Sequence, residues 1–130
     1  MPSFPEPRQC IFWRDEERVR GPLDARFELV AQYADESHFQ RYLLKCRECG
    51  QLYFFEFQEE IDWSHGKDPQ FTTYIPVSSI EQATALADLT PEALLEVSPR
   101  LCIDFPKDAE NSTVYWIRDA DIAAGSSCEE

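Results

Sequence analysis

The chain is short of histidine, glycine and positive charge, and it has no long apolar run. Its 130 residues include two histidines, four glycines and one methionine. No segment approaches the roughly 18 consecutive apolar residues that mark a membrane-spanning helix, so no such span is expected. Twelve basic residues face twenty-five acidic ones, for a net charge of −13 and a pI near 4.4. A surface this acidic repels a phosphate backbone, so nucleic acid is not an expected partner. The opening Met1–Pro7 has neither the basic segment nor the apolar core of a secretory signal, and the expected compartment is the cytoplasm. Five cysteines, an odd number, argue against a disulfide framework. Neither Ser37-His38 nor Ser64-His65 lies in the glycine pattern of a nucleophile elbow, and no complete catalytic set is found. The chain is therefore expected not to be an enzyme.

Aromatic rings are what the sequence has in quantity. Nine Phe, five Tyr and three Trp in a composition that is 43% hydrophobic suffice for one core built largely from rings, each burying roughly 150–250 Å². The length fits one domain. The stretch that organises it runs from Arg41 to Trp63. At its centre is Cys46-Arg47-Glu48-Cys49-Gly50, flanked by Tyr42-Leu43-Leu44 and Leu52-Tyr53-Phe54-Phe55. Two strands joined by a tight Cys-x-x-Cys-Gly turn account for this pattern, and such a turn is one half of a zinc ribbon.

The remaining elements follow from periodicity and punctuation. Cys10–Trp13 reads as a short apolar segment pinned onto the core, and Arg14–Arg20 as a solvated loop or short helix closed by Gly21-Pro22. Residues 26–33 fit both period two and period 3.6. The short polar break at Asp35-Glu36-Ser37 favours a strand, giving a meander through Phe39–Lys45 and Gln51–Gln58. The unbroken rings of Leu52–Phe57 predict a strand covered on both faces. Phe71–Ile75 reads as a strand ending at Pro76. Ser79 with Gln82 is a capping signature for a helix over 80–88, and Thr90-Pro91 starts a second helix. Leu101–Phe105 and Thr113–Ile117 close the pattern as a hairpin. The expected fold is α+β, an antiparallel meander around the Cys-x-x-Cys hairpin with two short helices on one side. Residues 1–8 are expected to be flexible, 9–118 to form the domain, and 119–130 to be a flexible acidic tail.

Two groups of residues invite chemistry. Zinc needs four soft or imidazole ligands in a tetrahedron, and Cys46 and Cys49 supply two. Cys10, Cys102, His38 and His65 are the other candidates. Cys10 leads them because Cys10-x-x-Trp13 has the form of a knuckle whose second thiol is replaced. Structural Zn2+ on Cys46, Cys49 and Cys10 stands beside an empty remnant of such a turn, and beside a redox pair. The last would need a helix N-terminus to lower a thiol pKa, where the sequence offers strand-like aromatics. The second group is acidic: Glu56, Glu59, Glu60 and Asp62, near Trp63, Phe71 and Tyr74. Acid beside exposed aromatic suits docking of a basic protein, with rings as anchors and charge as steering. Glu56, in phase with Leu52 and Phe54, either marks where its face turns wet or is buried with a partner.

The block Arg41–Tyr53, RYLLKCRECGQLY, resembles small bacterial proteins with a single Cys-x-x-Cys-Gly knuckle. Some of these are found as immunity proteins of polymorphic or contact-delivered toxins. The resemblance implies an acidic, non-catalytic inhibitor that neutralises a basic toxin or effector. A zinc-ribbon-like regulatory or adaptor module, read from the Cys46 and Cys49 turn, is the alternative. The resemblance carries over no catalytic residues.

Overall fold

The computed structural model describes residues 4–59, 69–105 and 111–118. Its centre is the expected hairpin. Strand β2 (Phe39–Cys46) runs into the cysteine turn and β3 (Leu52–Glu59) runs out of it. Around it β1 (Phe27–Glu36), β4 (Gln70–Val77), β5 (Arg100–Phe105) and β6 (Thr113–Ile117) complete a sheet in the order β1-β2-β3-β4-β5-β6. Every neighbouring pair is antiparallel. The ambiguous stretch before Tyr33 is strand, but without the single face that period two predicts: an irregularity between Leu29 and Ala31 leaves Phe27 on one face of the sheet and Ala31 and Tyr33 on the other.

Strand alternation explains the run of rings in β3. Tyr53 and Phe55 point to one face, and Phe54 and Glu56 to the other. Both faces are covered, so all four side chains are buried. On the first face lies the N-terminal segment: α1 (Ile11–Arg14), a 3-10 turn (Glu16–Val19) and α2 (Leu23–Arg26). Cys10, Phe12 and Val19 pack there against Phe27, Leu44, Tyr53, Phe55, Tyr74 and Trp116. The Trp116 indole donates to the Phe12 carbonyl at 2.9 Å, and the Arg20 guanidinium donates to the Ser112 carbonyl at 2.9 Å. On the second face lie α3 (Ile80–Ala87) and α4 (Pro91–Leu94). Ala83, Leu86, Leu94 and Val97 cover Leu43, Phe54, Ile75 and Val77.

The expected helix caps are present. Ser79 Oγ accepts from the Gln82 amide at 3.2 Å, while Gln82 Oε1 accepts from the Ser78 amide at 2.8 Å. Thr90 Oγ1 accepts from the Ala93 amide at 3.1 Å. Cys10–Trp13 is pinned onto the core as expected, with Cys10 and Phe12 buried and Ile11–Arg14 forming a helical turn. Two details differ from expectation. Strand β4 passes through Pro76 to Val77, because β5 pairs with β4 only over Gln70–Tyr74. Beyond Tyr74 the ladder is one-sided and tolerates a residue without an N–H. Of the N-terminal residues expected to be flexible, those from Phe4 are held: its amide donates to the Ser98 carbonyl at 2.9 Å, and Pro7 is buried. The expected tail over 119–130 lies outside the described residues. Among the described residues no helix is long and apolar enough to cross a membrane.

A buried ion pair ties the second helical layer to the sheet. Arg41 and Glu56 face each other across β2 and β3, both at most 5% exposed. Arg41 Nε donates to Glu56 Oε2 at 2.8 Å, and its Nη1 donates to the Ala87 carbonyl at 2.9 Å, at the end of α3. Gln58 donates to the other carboxylate oxygen at 2.9 Å. Removing one partner leaves a buried charge uncompensated, so Glu56→Ala is expected to lower unfolding stability by about 3–5 kcal/mol. Arg41→Met with Glu56→Leu removes both charges and is expected to recover most of that loss. Urea unfolding of the three proteins checks the pattern; a double variant as unstable as the single one contradicts it.

Candidate metal centre

The β2–β3 turn is shaped by backbone hydrogen bonds before any thiol is considered. The Cys46 amide donates to the Gln51 carbonyl at 2.8 Å, and the Gly50 amide donates back to the Cys46 carbonyl at 2.9 Å. Gly50 has φ +82°, a left-handed conformation that a side chain disfavours. This closes the turn so tightly that Cys46 and Cys49 present their sulfurs together. The Arg47 guanidinium donates to the Asp24 carbonyl at 2.9 Å, and the Arg47 amide to the Arg26 carbonyl at 3.1 Å. The turn is thereby bound to α2 of the N-terminal layer.

The third thiol arrives from that layer. Cys10 precedes α1, its amide donating to the Pro7 carbonyl at 2.9 Å and its carbonyl accepting from the Trp13 amide at 3.1 Å. Burial of Phe12 against Phe27 and Tyr53 sets the depth of α1 and with it the position of Cys10. The sulfurs of Cys10, Cys46 and Cys49 all lie within 4.8 Å of one another. Thiolates sharing a tetrahedral zinc, with Zn–S of about 2.3 Å, sit roughly 3.8 Å apart. A closure of about an ångström therefore converts this cluster into a three-sulfur site. Cys10 and Cys46 are buried and Cys49 is exposed; none is in a disulfide.

The electrostatics suit a cation. Burial pushes the Cys10 thiol up to about 12, against weaker lowering contributions from Tyr53 and the Phe12 amide. Without a positive charge beside it, Cys10 stays an inert thiol at neutral pH; a bound dication inverts that preference and takes up the thiolate. The turn joins two strands, without the helix N-terminus that activates a redox cysteine. The buried Tyr53 hydroxyl is close enough to the sulfurs to feel all three. Burial raises its pKa, followed by the influence of Cys10, Cys49 and Cys46. Among the described residues no further His, Cys, Asp or Glu joins the cluster.

The other ligand candidates are elsewhere. Cys102 packs with Ile117 on the sheet's opposite face. His38 lies at the far end of β2, roughly 25 Å of strand from Cys46, with Nδ1 3.2 Å from Glu59 Oε1. His65 is outside the described residues.

The expected acidic docking face is not assembled as its members suggested. Glu56 is buried with Arg41, the second of its two readings. Tyr74 is also buried, between Phe27 and Phe55. Neither side chain is available to a partner. Glu59 is at the strand end, where a hydrogen bond from Gln70, then His38, holds its carboxyl below the ordinary range. Glu60, Asp62 and Trp63 lie outside the described residues. What the sequence reading missed is a different exposed strip. Edge strand β1 leaves Leu29 and Val30 in solvent beside Ile80, with Glu28, Asp35 and Glu36 exposed along the same strand. Alternation alone does not show which strand lacks a neighbour.

No protein-family model, curated protein or solved structure matches this chain.

Accessibility and charge together order the thiols by reactivity. In metal-free native protein, iodoacetamide is expected to modify Cys49 well before Cys46 or Cys10. Burial pushes the Cys10 thiol up to about 12, so raising the pH to 9 leaves it protonated and its alkylation stays slow. Peptide mass mapping against time checks the order. Equal labelling of Cys10 and Cys49 contradicts it.

Proposed function

We propose that this chain is a non-catalytic binding module whose N-terminal layer is fastened to its sheet by a structural Zn2+ on Cys10, Cys46 and Cys49. The observation that carries this reading is the convergence of three sulfurs from two distant segments at the one turn whose backbone is built as a knuckle. Soft thiolates select thiophilic ions such as zinc. Structural zinc is four-coordinate as a rule, so the fourth donor comes from outside this trio. Cys10, Cys46 and Cys49 would hold the ion, and the ion would supply a cross-link between layers with no role in catalysis. A reducing cytoplasm, the compartment expected for the chain, keeps such thiols available.

A second reading concerns what the module binds, and the β1 edge favours it. Leu29 and Val30 are 50% and 40% exposed and Ile80 53%; the three line one shallow depression with Glu28 and Lys45, on a chain of net charge −13. With Lys45 in the lining, the attraction for a basic partner comes from the excess of acid on the whole chain, with the exposed apolar residues as anchors. On this reading the protein is an acidic inhibitor of the immunity type, and its partner a basic toxin or effector.

Protein purified untagged from its own cells is expected to carry close to one zinc per chain by elemental analysis. An ion present at about 100 times its Kd contributes about 2.7 kcal/mol, so its removal by a chelator is expected to lower Tm by roughly 10 °C. Cys10→Ser is expected to lose both the zinc and the chelator response. A metal-free preparation whose melting ignores chelators and added zinc contradicts the centre. Native mass spectrometry of the same material tests the second reading. A basic protein held at fixed stoichiometry, released by rising salt and weakened by Leu29→Asp, supports it; a partner indifferent to both does not fit it.

A further inference from the structure

The Tyr53 hydroxyl is a buried polar group set against the Cys10 thiol, a weak acceptor. Its residue is fully buried, and the oxygen has no hydrogen-bond partner of normal geometry. Tyr42 and Tyr115 have acceptors, Asp35 at 2.6 Å and Asp104. The Tyr33 hydroxyl on the other face is also unmet, but only Tyr53 packs in the cluster that holds Cys10 and Cys46. The Tyr53 ring has no freedom to carry its oxygen out to water. It makes edge-on contacts with Phe12, Phe27 and Tyr74, at centroid separations of 6.3, 5.8 and 6.4 Å. Phe12 is two residues from Cys10, and Phe27 is the register partner of Cys46. The ring is thus wedged between neighbours of two of the three sulfur ligands, on the same face of the sheet.

We propose that Tyr53 is a positioning residue of the metal centre, its hydroxyl donating to the Cys10 sulfur once that sulfur is a metal-bound thiolate. The inference rests on the zinc reading above. A neutral thiol is a weak acceptor, whereas a thiolate takes a charge-assisted bond. Three thiolates on one Zn2+ leave a net negative charge in a largely dry site, and an O–H dipole aimed at one sulfur offsets part of it. The same atom is therefore a cost to the metal-free fold and a gain to the loaded one. Ligand partners of this kind set ligand orientation and contribute to affinity.

Tyr53→Phe removes the oxygen and keeps the ring, so the two states are expected to move in opposite directions. The metal-free variant should melt at or above the temperature of the metal-free wild type, because an unmet buried donor is gone. Its zinc affinity, measured on the full chain against a chromophoric chelator, should fall by roughly 10- to 100-fold. With Co2+ as the probe, the sulfur-to-metal charge-transfer band should shift to lower energy, since an unbonded thiolate gives up its electron more readily. A packing role alone moves neither the band nor the affinity in this combination. Tyr42→Phe, which loses a hydroxyl far from the sulfurs, should leave both unchanged. Equal zinc affinity and an unshifted band in Tyr53→Phe overturn the role of the hydroxyl while the centre stands. A wild-type chain that binds neither Zn2+ nor Co2+ overturns the centre and this role together.

Discussion

The fold depends on burying one strand from both sides. Rings occupy successive positions along β3, so no single layer can cover them. Tyr53 and Phe55 need an apolar roof on one face, and Phe54 needs another on the opposite face. Each such side chain contributes roughly 1.5–3 kcal/mol only when water is excluded. Helices α3 and α4 provide one roof as a compact insertion between β4 and β5. The other is assembled from four-residue turns at the N-terminus, which have little stability of their own. That weaker layer is where the additional fastenings concentrate.

The fastenings are placed at its two ends. At the β6 side, Trp116 reaches the Phe12 carbonyl and Arg20 reaches Ser112. At the opposite end, the cysteine turn meets Cys10, and Arg47 meets Asp24. Phe12 connects the two, because its ring lies against Phe27 and Tyr53 while its carbonyl receives the indole. An ion on the three sulfurs would lock the end of the layer that Arg47 also secures. It would also turn the cost of the buried Cys10 thiol and Tyr53 hydroxyl into a favourable contact. Metal occupancy, layer docking and core burial are on this account one coupled equilibrium.

Much of this was legible in the sequence because local rules and global fold agree. Apolar runs, their β-branched and aromatic content and the polar breaks between them located the six strands. Ser79 with Gln82, and Thr90 with Pro91, marked both helix starts. Gly50 after Cys49 marked the turn. Glu56 shows where legibility stops: its phase placed it with Leu52 and Phe54, yet its partner Arg41 is set by the register of β2 on β3, which composition does not specify. Tyr74 was read as an exposed ring because its cover comes from Phe27 and Phe55 on other strands. Cys10 was suspected from its spacing to Trp13, but its approach to the turn depends on the whole N-terminal layer folding back. Tyr53 looked like any other core ring in an aromatic run; its unmet hydroxyl in the cluster that holds Cys10 and Cys46 is visible only in three dimensions.

X-ray absorption at the zinc edge of the protein as purified tests the central claim most directly, since it reports the atoms around the ion whatever the rest of the chain does. The account predicts about three sulfur scatterers at about 2.3 Å, with one further donor completing the shell. A shell of nitrogen and oxygen alone, or a preparation with no zinc to measure, would contradict it.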